Sequence, residues 1–311
     1  MTGESRRVMW VSLALLSLCM AASVEISRKL EVERRGAEIQ DVLYLPSART
    51  VKAMSLGYNG LLANLYWTRV VQYFGSHHVA HSTQYKLLAP LLDITTELDP
   101  QLMVAYEFGS IFLAQRPPEG AGDPEAAARL VEKGIERNPD AWRLYYHLGY
   151  IQWLELHEPK LASETFEKGS KIPGALPWMK VMAAALAQHS GEYQTARYLW
   201  VNILNSTDDK NIRENAEKRL RALDSDEEVR LLQQHVEKFT AAMGHVPNNW
   251  DEMLATGWIK RIPTDPGGNR FKLVQGRVQV ADTEKLPFIT QGLPPGKQSN
   301  VLPSLPATQS N

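Results

Sequence analysis

Three histidines lie close together in the sequence, at His77, His78 and His81. Imidazole is a common zinc ligand, and a zinc ion with an open coordination position activates water for hydrolysis. The related H-E-x-x-H motif of metalloproteases requires a helix and a glutamate base, whereas residues 75–83 (GSHHVAHST) have the composition of a polar loop. A metal-dependent enzyme is therefore one alternative, and a solvated loop is the simpler interpretation.

Other patterns that carry chemistry are missing from the sequence. It contains no phosphate-binding G-x-x-x-x-G-K-[ST] motif, no G-x-S-x-G nucleophile elbow and no spaced set of cysteines and histidines. Asp265 lies in a turn between two prolines, which favours a turn-forming role over that of a general base. The single cysteine, Cys19, excludes an intrachain disulfide, and the net charge of −1 over 311 residues gives no attraction to nucleic acid. We predict no cofactor.

The most regular stretch of the sequence is residues 143–173. It predicts two amphipathic helices joined by a short turn, with small residues where the helices touch and Pro173 at the end. The turn prolines Pro100, Pro139 and Pro173 are separated by 39 and 34 residues, and an inserted segment at 116–124 accounts for the longer interval. Two further helix pairs, before and after this stretch, repeat the same internal spacings.

Residues 84–206 resemble tetratricopeptide-repeat (TPR) proteins, whose period is 34 residues. The motif positions in the central unit are Leu148, Gly149, Ala162, Phe166 and Gly169. The other units depart from the pattern, since Phe108 occupies a leucine position and Ala184 a glycine position. The resemblance implies a stacked solenoid of helical hairpins, which needs about three units for stability.

In a TPR unit the first helix lines the concave face, where partners bind. Counted from Leu148, the positions on this face are as follows: Arg143, Tyr146, His147, Tyr150 and Trp153, joined by Tyr106 and Trp178 from the neighbouring units. Tyrosine, tryptophan and arginine dominate binding hot spots, so these residues predict a groove for a protein or peptide partner. The alternative is that several of them pack against the next repeat.

The N-terminal region predicts a membrane segment. After a polar tail at residues 1–7 that ends in Arg6 and Arg7, residues 8–24 form an uncharged run of 17 residues. This pattern is typical of an export signal, either cleaved or retained, and its length favours an uncleaved single-pass anchor. Basic residues on both sides make the charge rule less decisive than usual; we expect the bulk of the chain on the periplasmic or extracytoplasmic side.

Residues 25–50 are predicted to link the anchor to a dense apolar helix at 51–74, for which Ser47 or Thr50 is a candidate cap. The apolar residues of this helix exceed one stripe, which predicts burial on more than one side, or contact with membrane or a partner. The opening stretch, residues 45–75, resembles bacterial TPR proteins that carry an N-terminal signal anchor. That resemblance implies no particular activity.

The C-terminal region changes character. Residues 207–225 predict a solvated capping helix, and residues 227–243 predict a helix that docks through an apolar stripe. The pattern of glycines and prolines from Gly244 to Phe271 resembles the C-terminal module of type II secretion pseudopilins. The resemblance implies a small sheet with a hairpin at Gln275–Gly276, and it extends to the module and not to the filament, because residues 8–24 lack a prepilin cleavage motif. Residues 283–311 are rich in Pro, Ser, Gln and Gly, and predict a disordered tail.

The expected architecture is mainly α. It consists of an N-terminal transmembrane helix (8–24), a TPR-like solenoid (51–223), a helix with a pseudopilin-like β-hairpin module (224–282) and the tail (283–311). The expected function is that of a membrane-anchored scaffold or adaptor for protein–protein interaction in a bacterial envelope or secretion assembly. The alternatives are a metal-dependent enzyme and a purely structural protein whose helices at 51–74 lie against the membrane.

Overall fold

The computed structural model of the chain describes residues 45–302. Within that range the protein is mainly helical, with 11 α-helices and one two-stranded antiparallel sheet. The described residues divide into two compact units. Residues 45–99 and 117–121 form the first, and residues 100–116 and 122–302 form the second. The predicted anchor at 8–24 and the end of the predicted tail, 303–311, lie outside the described residues.

The first unit contains three helices: α1 (Ala48–Met54), α2 (Asn59–Val79) and α3 (Leu88–Leu98). Ser47 caps α1, since its hydroxyl accepts a hydrogen bond from the Thr50 amide at 3.2 Å, as predicted. Both α1 and α2 pack against α3, in which seven of the eleven residues are buried. The helix predicted at 51–74 is in fact two helices, because Leu56 and Gly57 take positive φ angles and break the chain between them.

The second unit opens with paired helices. They are α4 (Met103–Ala114) and α5 (Pro124–Arg137), α6 (Trp142–Tyr150) and α7 (Pro159–Ser170), and α8 (Trp178–His189) and α9 (Tyr193–Ser206). Each helix packs against its neighbours in sequence, and α6 continues as a π-helix over Ile151–Glu155. These bounds agree with the predicted helices to within a few residues.

Close packing inside the α6–α7 pair depends on glycine. A Cβ on Gly149 would lie 2.8 Å from two carbons of the Phe166 ring, so the ring occupies the space that a side chain would need. A Cβ on Gly169 would lie 2.5 Å from the Tyr145 Cβ. The predicted packing roles of Gly149, Phe166 and Gly169 are therefore confirmed.

The longest element is α10 (Lys210–Met243), a continuous helix of 34 residues. Its first half joins the core of the paired helices through Ala216 and Leu223. Its second half supports a separate core through the predicted stripe Val229, Leu232, Val236 and Phe239. The predicted domain boundary between residues 223 and 224 falls inside this helix, which no glycine or proline interrupts before Gly244 ends it with a φ of 75°.

The second core is completed by α11 (Trp250–Ala255) and by the strands β1 (Lys272–Val274) and β2 (Arg277–Gln279). The strands pair antiparallel with Leu273 opposite Val278, and Gln275 and Gly276 form the predicted turn with φ angles of 50° and 75°. The Trp250 indole donates to the Phe271 carbonyl at 2.8 Å and so ties α11 to the start of β1.

The segment after the sheet is packed rather than disordered as far as it is described. Leu286, Ile289 and Val301 are almost completely buried, although residues 286–302 contain neither helix nor strand. We call residues 286–302 the C-terminal strap. The strap lies within the predicted tail, and buried side chains of α8 and α10 form hydrogen bonds with its backbone.

Candidate functional site

The three histidines are not brought together. His77 and His78 lie inside α2 and not in a loop, and His81 follows the helix with a φ of 50°. The His77 ring stacks on Tyr73 at 4.0 Å, and its Nδ1 lies 2.9 Å from the Tyr73 carbonyl oxygen. The His78 Nδ1 lies 3.3 Å from the Pro118 carbonyl oxygen. Residues 45–302 contain no group of three or more His, Cys, Asp or Glu side chains that could hold a metal ion. The predicted loop is wrong because Gly75 is accommodated within the helix.

Asp265 forms a turn, as predicted. Its backbone amide donates to the Asn269 carbonyl at 2.7 Å, and its carboxylate accepts from the Asn269 amide at 2.9 Å. The side chain is buried in this loop. Its geometry is that of a loop-stabilising residue.

An aromatic cluster joins α6 and α8. The ring of Tyr146 lies 5.4 Å from that of Trp178, nearly perpendicular to it, and 4.9 Å from the ring of Tyr150. Tyr150 and Trp178 are 6.0 Å apart, and both contact Phe166 below them. Tyr146, Tyr150 and Trp178 are each half-buried, so their rings are fixed by mutual contact and still reach the surface. Three of the predicted residues are therefore brought together.

Arg143 and His147 complete this surface on α6, which we call the aromatic face: Arg143, Tyr146, His147, Tyr150 and Trp178. Arg143 is exposed, and its guanidinium lies 5.5 Å from the ring centroid of Trp142. Burial and the positive charge of Arg143 lower the pKa of His147. Burial and the neighbouring Tyr146 raise the pKa of Tyr150 to about 12. At neutral pH the aromatic face thus carries one positive charge, on Arg143, beside neutral hydrogen-bonding groups.

Two of the predicted partner-binding residues are core residues. Tyr106 is completely buried, and it fills the space beside Gly134, where a Cβ would lie 2.8 Å from its ring. Trp153 is buried in the core of the paired helices. The counting that placed Trp153 on the exposed face assumed α-helical spacing, whereas the chain from Ile151 forms a π-helix. The Leu156 amide donates to the Ile151 carbonyl at 3.0 Å, five residues back, which changes the direction of the side chains after Tyr150.

Sequence reasoning missed the two charged residues that hold the C-terminal strap. The Asp226 carboxylate accepts from the Thr290 amide at 2.8 Å, the Thr290 hydroxyl at 2.7 Å and the Gln291 amide at 2.8 Å. Seven residues earlier on α10, the Arg219 guanidinium donates to the Val301 carbonyl at 2.7 Å. Both side chains are almost completely buried. The sequence could have indicated these two residues, because Arg219 and Asp226 lie on the same apolar stripe of α10 as Val229.

Arg219 and Asp226 have opposite charges but do not form an ion pair with each other. The Arg219 guanidinium lies over two rings, 4.8 Å from the centroid of Trp200 and 4.1 Å from that of Phe288. Burial lowers the pKa of Arg219 to about 10 and raises the pKa of Asp226 to about 6. The strap is further fixed by the Gln188 amide, which donates to the Phe288 carbonyl at 2.8 Å. Through Gln188 the strap contacts the last turn of α8. Gln188 lies ten residues, or about 15 Å along the helix, from Trp178.

A cleft of about 510 Å³ runs between α10 and the segment that carries β2 and the strap. Arg230, Gln233, Glu237 and Arg277 contribute its polar lining. Gln233 bridges the two sides, because its side chain donates to the Gly276 carbonyl and accepts from the Val278 amide, both at 3.0 Å. The side-chain amide of Gln233 therefore stabilises the fold by joining the two sides of the cleft. We identify no pair of catalytic residues among the side chains that line it.

Comparison with protein-family models, with curated proteins and with solved structures finds no match for this chain. Among residues 45–302, no helix combines the length and the apolar content that crossing a membrane requires.

Proposed function

We propose that the protein is a membrane-anchored adaptor in which a TPR-like array of helical hairpins binds a segment of a protein partner. The pairwise packing of α4 to α9 supports the TPR-like interpretation. The contact between Gly149 and Phe166 supports it as well, because it places a small residue of one helix against a large residue of the next.

The observation that carries the proposal is the aromatic face. Binding hot spots are rich in tyrosine, tryptophan and arginine because these side chains bury a large apolar area and also offer a polar group. Contacts with one another and with Phe166 already fix the rings of Tyr146, Tyr150 and Trp178. These side chains therefore lose little further conformational entropy when a partner binds. The buried Trp153 instead supports this surface, since its ring lies 5.9 Å from that of Tyr150.

The charge of the aromatic face defines the chemistry of the partner. Arg143 is the charged group, and its exposed guanidinium suits a carboxylate. His147 is neutral at physiological pH because its pKa is lowered, and the Tyr150 hydroxyl stays protonated. The matching ligand is a peptide segment with an apolar side chain for the ring cluster and an acidic side chain, or a carboxyl terminus, for Arg143.

The proposal is tested by placing a photo-cross-linking amino acid at position 147 of the aromatic face in the full chain, which leaves Arg143 in place, with position 198 as the control. Tyr198 is an exposed aromatic residue on α9, outside the aromatic face. The cross-linked segment is then made as a synthetic peptide and its affinity measured by fluorescence anisotropy. We expect Tyr146→Ala and Arg143→Glu each to weaken binding about tenfold or more, and Tyr198→Ala to leave it unchanged. Unchanged affinity in both folded variants of the aromatic face refutes the proposal.

The anchor is the second part of the proposal. The uncharged run at residues 8–24 supports a single membrane pass, and Arg6 and Arg7 support a cytoplasmic N-terminus with the remainder in the periplasm. Protease treatment of intact cells and of spheroplasts that carry the full chain with a C-terminal reporter separates the two orientations. The reporter is cleaved only in spheroplasts if the bulk of the chain is periplasmic.

A further inference from the structure

Large apolar side chains are exposed together at the start of the first unit. Met54, Leu56, Tyr58, Leu61 and Leu65 fall within twelve residues, and their exposed fractions run from 58% at Leu65 to 87% at Leu56. Single exposed apolar residues are normal on a soluble surface, whereas a contiguous group marks a surface that contacts protein or lipid. We call these five residues the apolar patch.

The backbone turn that carries the apolar patch is held by hydrogen bonds. Leu56 has a φ of 50°, a conformation that a bulky residue seldom adopts, and its side chain is almost fully in solvent. The turn that holds it is hydrogen-bonded on both sides, since the Ser55 hydroxyl donates to the Lys52 carbonyl at 2.7 Å and the Tyr58 amide donates to the Ser55 carbonyl at 2.9 Å. The apolar side chains therefore project from a turn that the structure holds in place.

The helix after the turn continues the same surface. Tyr58 precedes the first residue of α2, and Leu61 and Leu65 follow at positions three and seven residues later. This spacing puts the three side chains on one side of the helix. The opposite side of α2 carries Ala63 and Val70, both completely buried in the first unit.

The charged residues of the two helices that carry the patch, α1 and α2, are all basic. No aspartate or glutamate occurs from residue 42 to residue 92, a stretch of 51 residues in a chain that has 35 acidic residues. The same stretch contains Arg49, Lys52, Arg69 and Lys86. Lys52 is paired with Glu97 of α3 at 3.2 Å, whereas Arg49 on α1 and Arg69 on α2 are exposed. An apolar surface on helices whose charged residues are all basic is complementary to an anionic lipid bilayer.

We propose that α1 and the start of α2 form an interfacial membrane-docking surface, separate from the aromatic face and from the predicted anchor. The apolar patch enters the boundary between headgroups and acyl chains, with Tyr58 at headgroup level, and Arg49 and Arg69 contact anionic headgroups. The sequence favours lipid as the occupant because the uncharged run at 8–24 ends thirty residues before Met54, so a bilayer that holds this run also lies within reach of the patch.

The test uses the full chain in vesicles and reads the local environment of the patch, because residues 8–24 alone are expected to keep the protein on vesicles. In a Cys19→Ser background, Leu61→Cys is labelled with an environment-sensitive fluorophore, and Tyr198→Cys serves as the control with a similarly exposed side chain. Vesicles of phosphatidylcholine mixed with phosphatidylglycerol carry a spin-labelled lipid that quenches fluorophores within the acyl region. We expect a blue shift and loss of fluorescence at position 61 and neither change at position 198.

Two further outcomes separate the alternatives. Combined Arg49→Gln and Arg69→Gln substitutions are expected to lower quenching at position 61, by up to roughly fivefold in the docked population for each arginine. A label at position 61 that stays as water-exposed as the control overturns the proposal. So does a label that is shielded from both aqueous and lipid-borne quenchers, because the patch is then covered by protein, either another part of this chain or a second copy. Quenching that is unaffected by the arginine substitutions overturns the role of charge.

Discussion

Asp226 provides a sensitive test of how the C-terminal strap is held, because two opposing effects act on its carboxylate. Burial in an apolar core disfavours the ionised form, whereas the donors from Thr290 and Gln291 favour it. No cation is among the groups that shift its pKa, and burial is the larger effect, so the pKa rises from 3.8 to about 6. Below pH 6 the strap is therefore held by a largely neutral carboxyl group.

The shift in pKa fixes how stability depends on pH. The folded protein binds the Asp226 proton more tightly than the unfolded chain, so the contribution of this residue is greatest below pH 3.8 and declines as the pH rises through 6. The rise in the pKa of Asp226 from 3.8 to about 6 corresponds to roughly 3 kcal/mol of lost stability at neutral pH. An asparagine at this position keeps an acceptor for the two amides and offers its own amide group to the Thr290 hydroxyl, but it never ionises.

We therefore expect Asp226→Asn to hold the strap more tightly than the native residue at pH 7, by up to roughly 3 kcal/mol, and equally tightly near pH 4. Hydrogen exchange at the amides of Thr290 and Gln291, followed from pH 4 to pH 7.5 and corrected for intrinsic rates, measures this local opening directly. Asp224→Asn is the matched control, since Asp224 lies two residues earlier on α10, is half-exposed and pairs with Arg197 at 2.6 Å.

The opposite result is equally informative. If Asp226→Asn raises the exchange of the two amides at pH 7 and the effect grows with pH, the donors outweigh burial and the carboxylate has a depressed pKa. That outcome refutes the reasoning above. Asp226→Ala distinguishes loss of charge from loss of acceptors, because it leaves the donors of Thr290 and Gln291 without their partner and is expected to loosen the strap at every pH.

Two further predictions concern packing and a surface pair. Gly149→Ala is expected to lower the free energy of unfolding by about 1–3 kcal/mol, because the new Cβ meets the Phe166 ring at 2.8 Å, whereas Gly75→Ala, with no atom near its Cβ, is expected to be neutral or slightly stabilising in a denaturant titration. The hydrogen bond that His245 Nε2 donates to the Glu252 carboxylate raises the pKa of His245, so the stabilising effect of this pair is complete below pH 6.5 and lost as the pH rises through the raised pKa. Titration of the imidazole by NMR should give a lower pKa in Glu252→Gln; an unchanged pKa contradicts the pairing.

Local signals explain why much of the fold could be predicted from sequence. The start of α9 at Tyr193 follows a turn at Gly191, and the hairpin at Gln275 and Gly276 has the residues that its turn requires. These features depend on residues within a few positions of each other. The continuity of α10 is also predictable from sequence, because no glycine or proline occurs between Lys210 and Met243. The run of charged residues in the first half of this helix instead favoured a domain boundary.

Long-range contacts explain what could not be predicted. The partners of Asp226 lie 64 and 65 residues along the chain, and the carbonyl held by Arg219 lies 82 residues away. The two members of each pair are too far apart along the chain to be recognised from a local pattern. The composition of residues 283–311, taken alone, therefore predicts a disordered tail. The same limit applies to the candidate site, where the sequence predicted the residue types but not that Tyr106 and Trp153 are buried.

The strap also shows how this helical array holds a segment that has neither helix nor strand. Gln188 and Arg219 donate to backbone carbonyls at Phe288 and Val301, and Asp226 accepts from backbone amides, so the array recognises main-chain groups through side chains of α8 and α10. An apolar contact accompanies the polar contact of Arg219, whose guanidinium lies 4.1 Å from the ring centroid of Phe288. The aromatic face offers the same combination on α6 and α8, with rings for an anchor and Arg143 as a donor. The partner segment proposed for the aromatic face therefore needs no regular secondary structure of its own, since a segment of this chain is already held in that way by the adjoining helices.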